Sequence, residues 1–190
     1  MQALSPRTMH AKKRLRGLPV RFARGRAGST AVEFAMIALP FLALIMGIIE
    51  LSMIYLVSTT LENATADVAR MVRTGQLQTS GTTQNASSFT TKICGELAWL
   101  SSCSSNLYVD VNKISSWSSY STTPPTKNGQ IDTTQLNFNM GGPGDIIMVR
   151  AFYQWTLFTP VLDGMAATLN GGTTLITSTS AFRNEPYAAS

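Results

Sequence analysis

Before Glu33 the chain has no acidic residue, and between Phe34 and Ile49 it has no charge of either sign. Histidine is almost missing as well, since the one imidazole, His10, lies within the first 28 residues. The rest of the chain therefore has no histidine to act as a general base or as a metal ligand. Cysteine is limited to Cys94 and Cys103, which without a nearby histidine make a poor zinc set. The densest glycine run, Gly141-Gly142-Pro143-Gly144, lacks the lysine and the following helix that a phosphate-binding loop needs. A hydrolase built on Ser–Lys or on paired carboxylates would have to draw on Asp110, Asp132, Asp145 or Asp163, and no spacing among them favours it. The expectation is a non-enzymatic protein with no catalytic residue, no cofactor and no metal.

What the chain does have is a strong separation of charge. Residues 1–28 hold eight Lys or Arg and no acid, whereas residues 29–190 hold seven basic and ten acidic residues. The formal net charge of +5 thus hides a basic leader and a mildly acidic remainder. A basic excess can mark nucleic-acid binding, but here all of it flanks an apolar run. Cationic flanks stay on the cytoplasmic side of a membrane, with contact to anionic lipid as a companion role. Nucleic acid is not an expected partner; the lipid bilayer is.

Phe34 to Val57 is apolar over 24 residues, interrupted only by Glu50. As a helix it would rise ~36 Å, enough for a ~30 Å hydrocarbon core with some tilt. Cleaved secretory signals have shorter apolar regions of roughly 7–15 residues, so the run reads as an anchor. Pro40 removes one hydrogen bond within it and predicts a local bend. Glu50, ~29 Å along the helix from Ala31, is expected at the outer interface, with its carboxylate reaching water or, alternatively, contacting a partner helix.

Beyond the anchor the pattern changes. No glycine or proline intervenes from Ser58 to Arg73, while Leu61, Ala64, Val68 and Met71/Val72 recur at helical spacing, and Gly75 is the first strong stop. One long helix is expected, apolar in its first half and amphipathic in its second. Phe89, Ile93, Leu97 and Leu100 mark a second amphipathic helix carrying Cys94. In an oxidising compartment Cys94 and Cys103 would most simply pair, a closure of roughly 2–3 kcal/mol in the chain-entropy model.

Ser and Thr fill 22 of the 56 residues from Thr79 to Thr134, a polar, loop-rich composition suited to export. Within it Leu107, Val109 and Val111 alternate with Tyr108 and Asp110 as a half-buried strand. Pro124-Pro125 and Asn128-Gly129 punctuate a loop, and Ile131–Phe138 is a weaker strand candidate. Asp145 to Trp155 is apolar on both faces, which predicts a central strand. Leu157 to Leu169 reads as a loop with a short helix, and Thr173 to Phe182 as a final strand. The fold class expected is α+β. A single N-terminal transmembrane helix continues as a long amphipathic helix, packed on a small antiparallel β-sheet. The expected divisions are a leader at 1–28, the transmembrane helix at 29–57, its extension at 58–75 and an exported domain at 76–190.

Ala31-Val32-Glu33-Phe34-Ala35, Leu39-Pro40, Gly47-Ile48-Ile49-Glu50 and Thr60-Leu61-Glu62-Asn63-Ala64, in register along one anchor, resemble the TadE-like family. Its members are pseudopilins of the tight-adherence (Flp-type) pilus machinery, so the resemblance implies a pilin-like arrangement of the long helix on its sheet. Arg73-Thr74-Gly75-Gln76 and Asn184-Glu185-Pro186-Tyr187 are similar to recurrent stretches in some members. The resemblance implies cleavage by a prepilin peptidase between Gly28 and Ser29 at the cytoplasmic face. It makes Glu33 the fifth mature residue, a carboxylate that pairs with the new amine of a neighbouring subunit. It further implies other pilins, pseudopilins and inner-membrane assembly proteins as partners. The expected location is a single pass through the bacterial inner membrane, N-terminus cytoplasmic and C-terminal domain outside. Two other readings of the same residues are a signal-anchored surface adhesin or binding domain and a pseudopilin of type II secretion.

Overall fold

The structure is a computed structural model that describes residues 26–187. Residues 1–25 of the basic leader, with His10, lie outside the described residues. Two compact units divide the chain between Leu44 and Ile45.

Helix α1 (Arg26–Arg73) runs through Pro40 without interruption. In the first unit its side chains Val32, Phe34, Met36, Ile37, Leu39, Phe41, Leu42 and Leu44 are all exposed. Among the described residues, this is the one helix long and apolar enough to cross a membrane, and its most apolar window has no buried residue.

In the second unit the same helix turns amphipathic and becomes part of a core. Val57, Leu61, Ala64, Val68, Ala69 and Val72 are buried, whereas Glu62, Asp67, Arg70 and Arg73 are exposed. Gly75 ends it in the left-handed region at φ +75°. Gln76 N–H donates to Met71 O and Gly75 N–H to Val72 O, the paired bonds of a Schellman cap that satisfy carbonyls the helix leaves open. Helix α2 (Ala86–Glu96) starts at Asn85, whose side chain accepts from Ser88 N–H while the Ser88 hydroxyl accepts from Asn85 N–H. It stops sooner than its apolar spacing implied; Leu97 is the cap, and Leu100 packs from the following turn. The short helix α3 (Cys103–Asn106) follows, and Cys94 is bonded to Cys103.

The sheet has three antiparallel strands: β1 (Leu107–Ile114), β4 (Ile146–Thr156) and β5 (Thr173–Arg183), in the order β1-β4-β5. Leu107 faces Tyr153 across one pair, and Ile146 faces Arg183 across the other. β4 is central, as its two-sided apolar pattern required, and eight of its eleven residues are buried. Phe89, Ile93 and Leu97 of α2, the α1 stripe, and Val109, Val111, Ile147, Val149 and Ala151 of the sheet form one core.

Three expectations are corrected. Ile131–Phe138 is not a strand. Its start forms a two-residue hairpin, β2 (Thr126–Lys127) with β3 (Gln130–Ile131), around a turn with positive φ at Asn128 and Gly129, and its end makes a single parallel bridge from Phe138 to Val111 of β1. A 3₁₀ turn follows at Thr133–Gln135. Phe138 nevertheless reaches the core, its ring edge-on to Phe89 with centroids 4.8 Å apart. Asp110 does not alternate outward but is fully buried. Nor is β4 purely apolar, because Arg150 lies within it and is 8% exposed. The Arg150 guanidinium contacts Asp110 at 2.8 and 2.9 Å, and it donates to Thr123 O and Ser121 O. Asp110 also accepts from Asn137 N–H and Asn112 Nδ2. Two charges enter the interior together because each is paired and hydrogen-bonded. In doing so they tie Ser121, Thr123 and Asn137 of the connection between β1 and β4 to the sheet.

Candidate functional site

Glu50 opens the folded part of α1 and Gly75 closes it, and each end is fixed by a separate device. Glu50 was expected to reach water; instead it is fully buried. Its two carboxylate oxygens accept from the backbone N–H groups of Phe158 at 2.7 Å and Thr159 at 2.9 Å. The Trp155 indole and Thr159 hydroxyl lie towards the same carboxylate, outside hydrogen-bonding geometry. An acid at this point of an apolar helix thus caps the chain where it leaves β4. Sequence spacing could not find the contact, since the partners are backbone groups 108 and 109 residues away.

At the other end, Arg73 and Glu185 form an ion pair at 2.9 Å, and Glu185 N–H donates to Arg73 O. The Tyr187 ring covers Gly75 so closely that a Cβ there would overlap it. Burial, then the nearby Asp145, push the Tyr187 phenol pKa up. Asn184 is buried and donates to Met140 O and Gly142 O. The stretches 73–76 and 184–187, far apart in sequence, are therefore two halves of one contact. From Glu50 to Arg73 the helix rises ~35 Å, and an eleven-residue strand spans a similar ~36 Å. One helical segment and β4 are matched in length; the segment is tied at Glu50 to the chain leaving β4 and at Arg73–Gly75 to the chain leaving β5.

The four aspartates considered for hydrolysis are dispersed. Asp110 is paired with Arg150. Asp132 caps the 3₁₀ turn, where bonds from Thr134 and Gln135 hold its carboxyl below the usual range. Asp145 accepts from Gly142 N–H and meets Lys113 at 2.8 Å, which likewise lowers its pKa. Asp163 lies beside Gly172. Among the described residues no group of three or more His, Cys, Asp or Glu is placed to hold a metal.

Gly28 and Glu33 are exposed near the start of α1, and Ser29 lies between them on the helix. Residues 28–70 match the family model TadE, described as TadE-like protein. This segment is TadE-like. The match begins at Gly28 and takes in Glu33, Pro40, Glu50 and nearly all of α1, and it suggests a Tad pilus-associated protein. No curated protein and no solved structure matches the chain. The TadE-like segment thus comprises an exposed apolar helix, suggestive of a single-pass membrane anchor, and the part of its continuation that packs on the sheet.

Proposed function

We propose that the protein is a TadE-like minor pseudopilin, a membrane-anchored structural component of tight-adherence pilus biogenesis and secretion. The observation that carries this is where the family match starts: at the glycine that separates a basic leader from an apolar helix, five residues before the first acidic residue of the sequence, Glu33. In this reading a prepilin peptidase cuts between Gly28 and Ser29. Glycine leaves the bond unobstructed, and the cut produces a free amine within about one helical turn of Glu33. A carboxylate at the mouth of a membrane helix is costly unless it is paired. Pairing with the amine of a neighbouring pilin or pseudopilin relieves both charges and favours lateral assembly. The small residues Ala35, Ala38, Ala43 and Gly47 permit close helix approach. The basic leader keeps the N-terminus cytoplasmic and the sheet domain outside, where Cys94 and Cys103 oxidise.

The test is the N-terminal sequence of the protein extracted from membranes, with and without its prepilin peptidase. The expected terminus is Ser29, dependent on the peptidase. A retained leader would overturn the proposal in favour of a signal-anchored surface binding domain.

A further inference from the structure

The end of the folded unit at which β4 meets α1 carries an apolar surface that the core does not use. Phe158 is 50% exposed, Met165 81% and Trp99 46%. They come from three segments: the connection after β4, helix α4 (Pro160–Ala166) and the turn after α2. Two contacts fix the positions of Phe158 and Trp99 along α1, and Met165 follows Phe158 by seven residues. Phe158 N–H donates to Glu50, which sets that segment beside residue 50. Trp99 shares a surface groove of about 370 Å³ with Met53, Trp155 and Thr156, which sets it one helical turn further on. On α1 at the same end, Ile48, Ile49, Leu51 and Tyr55 are exposed too. Residues 97–102 and 157–172 together hold a single charge, Asp163.

We propose that this end of the folded unit is a lipid-docking surface. Trp99, Phe158 and Met165 enter the headgroup–acyl boundary of the bilayer that α1 crosses, and hold the sheet unit down on the membrane. The proposal rests on α1 being a membrane anchor. Ala31–Ile49 rises ~28 Å as a helix, close to the ~30 Å hydrocarbon thickness. Glu50 then falls at the hydrocarbon edge, beneath an interfacial layer of roughly 5–7 Å. Phe158 at the level of residue 50, and Trp99 at residue 53, ~4.5 Å higher, both fall inside that layer. The Trp99 indole, apolar with one polar N–H, suits this zone, and Phe158 adds apolar area at its inner edge. The occupant is lipid because the surface is apolar and nearly uncharged, and Ile48, Ile49, Leu51 and Tyr55 of α1, within the same unit, are exposed beside it. Glu50 does not oppose this contact, as its carboxylate is buried under two backbone N–H groups. With no Lys or Arg in either segment, the contact needs no anionic lipid.

Native tryptophans provide the test. Trp117 is exposed beyond the far end of β1, eight residues or ~26 Å from Leu107. The full chain would be reconstituted into neutral phosphatidylcholine vesicles brominated at shallow or deep acyl positions. Three single-tryptophan forms are needed: Trp99 alone, Trp117 alone, and Leu42→Trp with all three native tryptophans replaced by Phe. Shallow bromines should lower Trp99 emission about two-fold, as for a ring in the interfacial layer next to the acyl chains, and leave Trp117 unchanged. Adding Phe158→Asp and Met165→Asp to the Trp99 form should restore most of that emission. If Trp99 is as bright as Trp117 while deep bromines quench Leu42→Trp, the docking surface is overturned and the anchor stands. If Leu42→Trp is not quenched either, the anchor reading itself fails and docking fails with it.

Discussion

Val32–Ile49 and Val57–Val72 belong to one helix, yet they are built for different surroundings. In the first stretch apolar side chains point in every direction and almost none is covered. In the second, Val57, Leu61, Ala64, Val68 and Val72 form a buried stripe, with Glu62, Asp67 and Arg70 on the opposite side. A helix apolar all round belongs in lipid or in a large core, and a striped one belongs on a core of its own. Mean apolar content is less informative than how it is distributed around the axis. Glu50 marks the change. It is the first charge after Glu33 and the first fully buried residue of the helix.

The sharpest way to break the folded half is not on the helix at all. Arg150→Ala leaves Asp110 charged, buried and without its partner, and should cost about 3–5 kcal/mol. Chemical denaturation of the detergent-solubilised chain, followed by tryptophan emission, would measure it. A direct comparison of the two stretches uses one substitution in each. Leu61→Ala should destabilise the folded unit by about 2–5 kcal/mol, because it opens a cavity in the core. Leu42→Ala should leave the same unfolding transition unchanged within error. Equal effects would mean that the two stretches are not in different surroundings.

Smaller changes sharpen the boundary between them. Glu50→Ala strips a charged acceptor from two backbone N–H groups and should cost about 2–3 kcal/mol. Faster protease cleavage near Phe158 would locate the loss. At the far clamp, Gly75→Ala forces a Cβ into a left-handed turn and into the Tyr187 ring. That should cost about 1–2 kcal/mol, read as a lower denaturation midpoint. The smallest effect is acidic. Asp145 is held below its ordinary pKa of 3.8 by Gly142 N–H and Lys113. Its contribution is therefore present above about pH 4 and is lost as the pH falls through its folded value. Asp145→Asn should flatten the acid limb of the stability curve below about pH 4.

Much of this was legible from local pattern. The helix through Arg73 and its stop at Gly75 follow from unbroken spacing and one glycine. The central place of β4 follows from apolar residues on both its faces, and the Cys94–Cys103 pair from there being only two cysteines. Asp110 and Arg150 were not legible. A strand that alternates predicts an outward carboxylate, and only a second strand bringing a guanidinium to the facing position reverses that. Ile131–Phe138 failed for a related reason. Its β-branched and aromatic residues suit a strand, but Asp132 caps a 3₁₀ turn instead, and Phe138 is taken up singly by Phe89.

The sequence by itself determined the division of the chain into a basic leader, an apolar helix and an α+β unit, because charge and periodicity act over neighbouring residues. It also carried the TadE-like motif, which lies along one continuous helix. Only the tertiary structure decided what Glu50 does, how residues 73–76 meet 184–187, and which apolar side chains of the folded unit remain uncovered. Those outcomes depend on backbone groups and ring faces brought together from over a hundred residues apart, where no local pattern reaches.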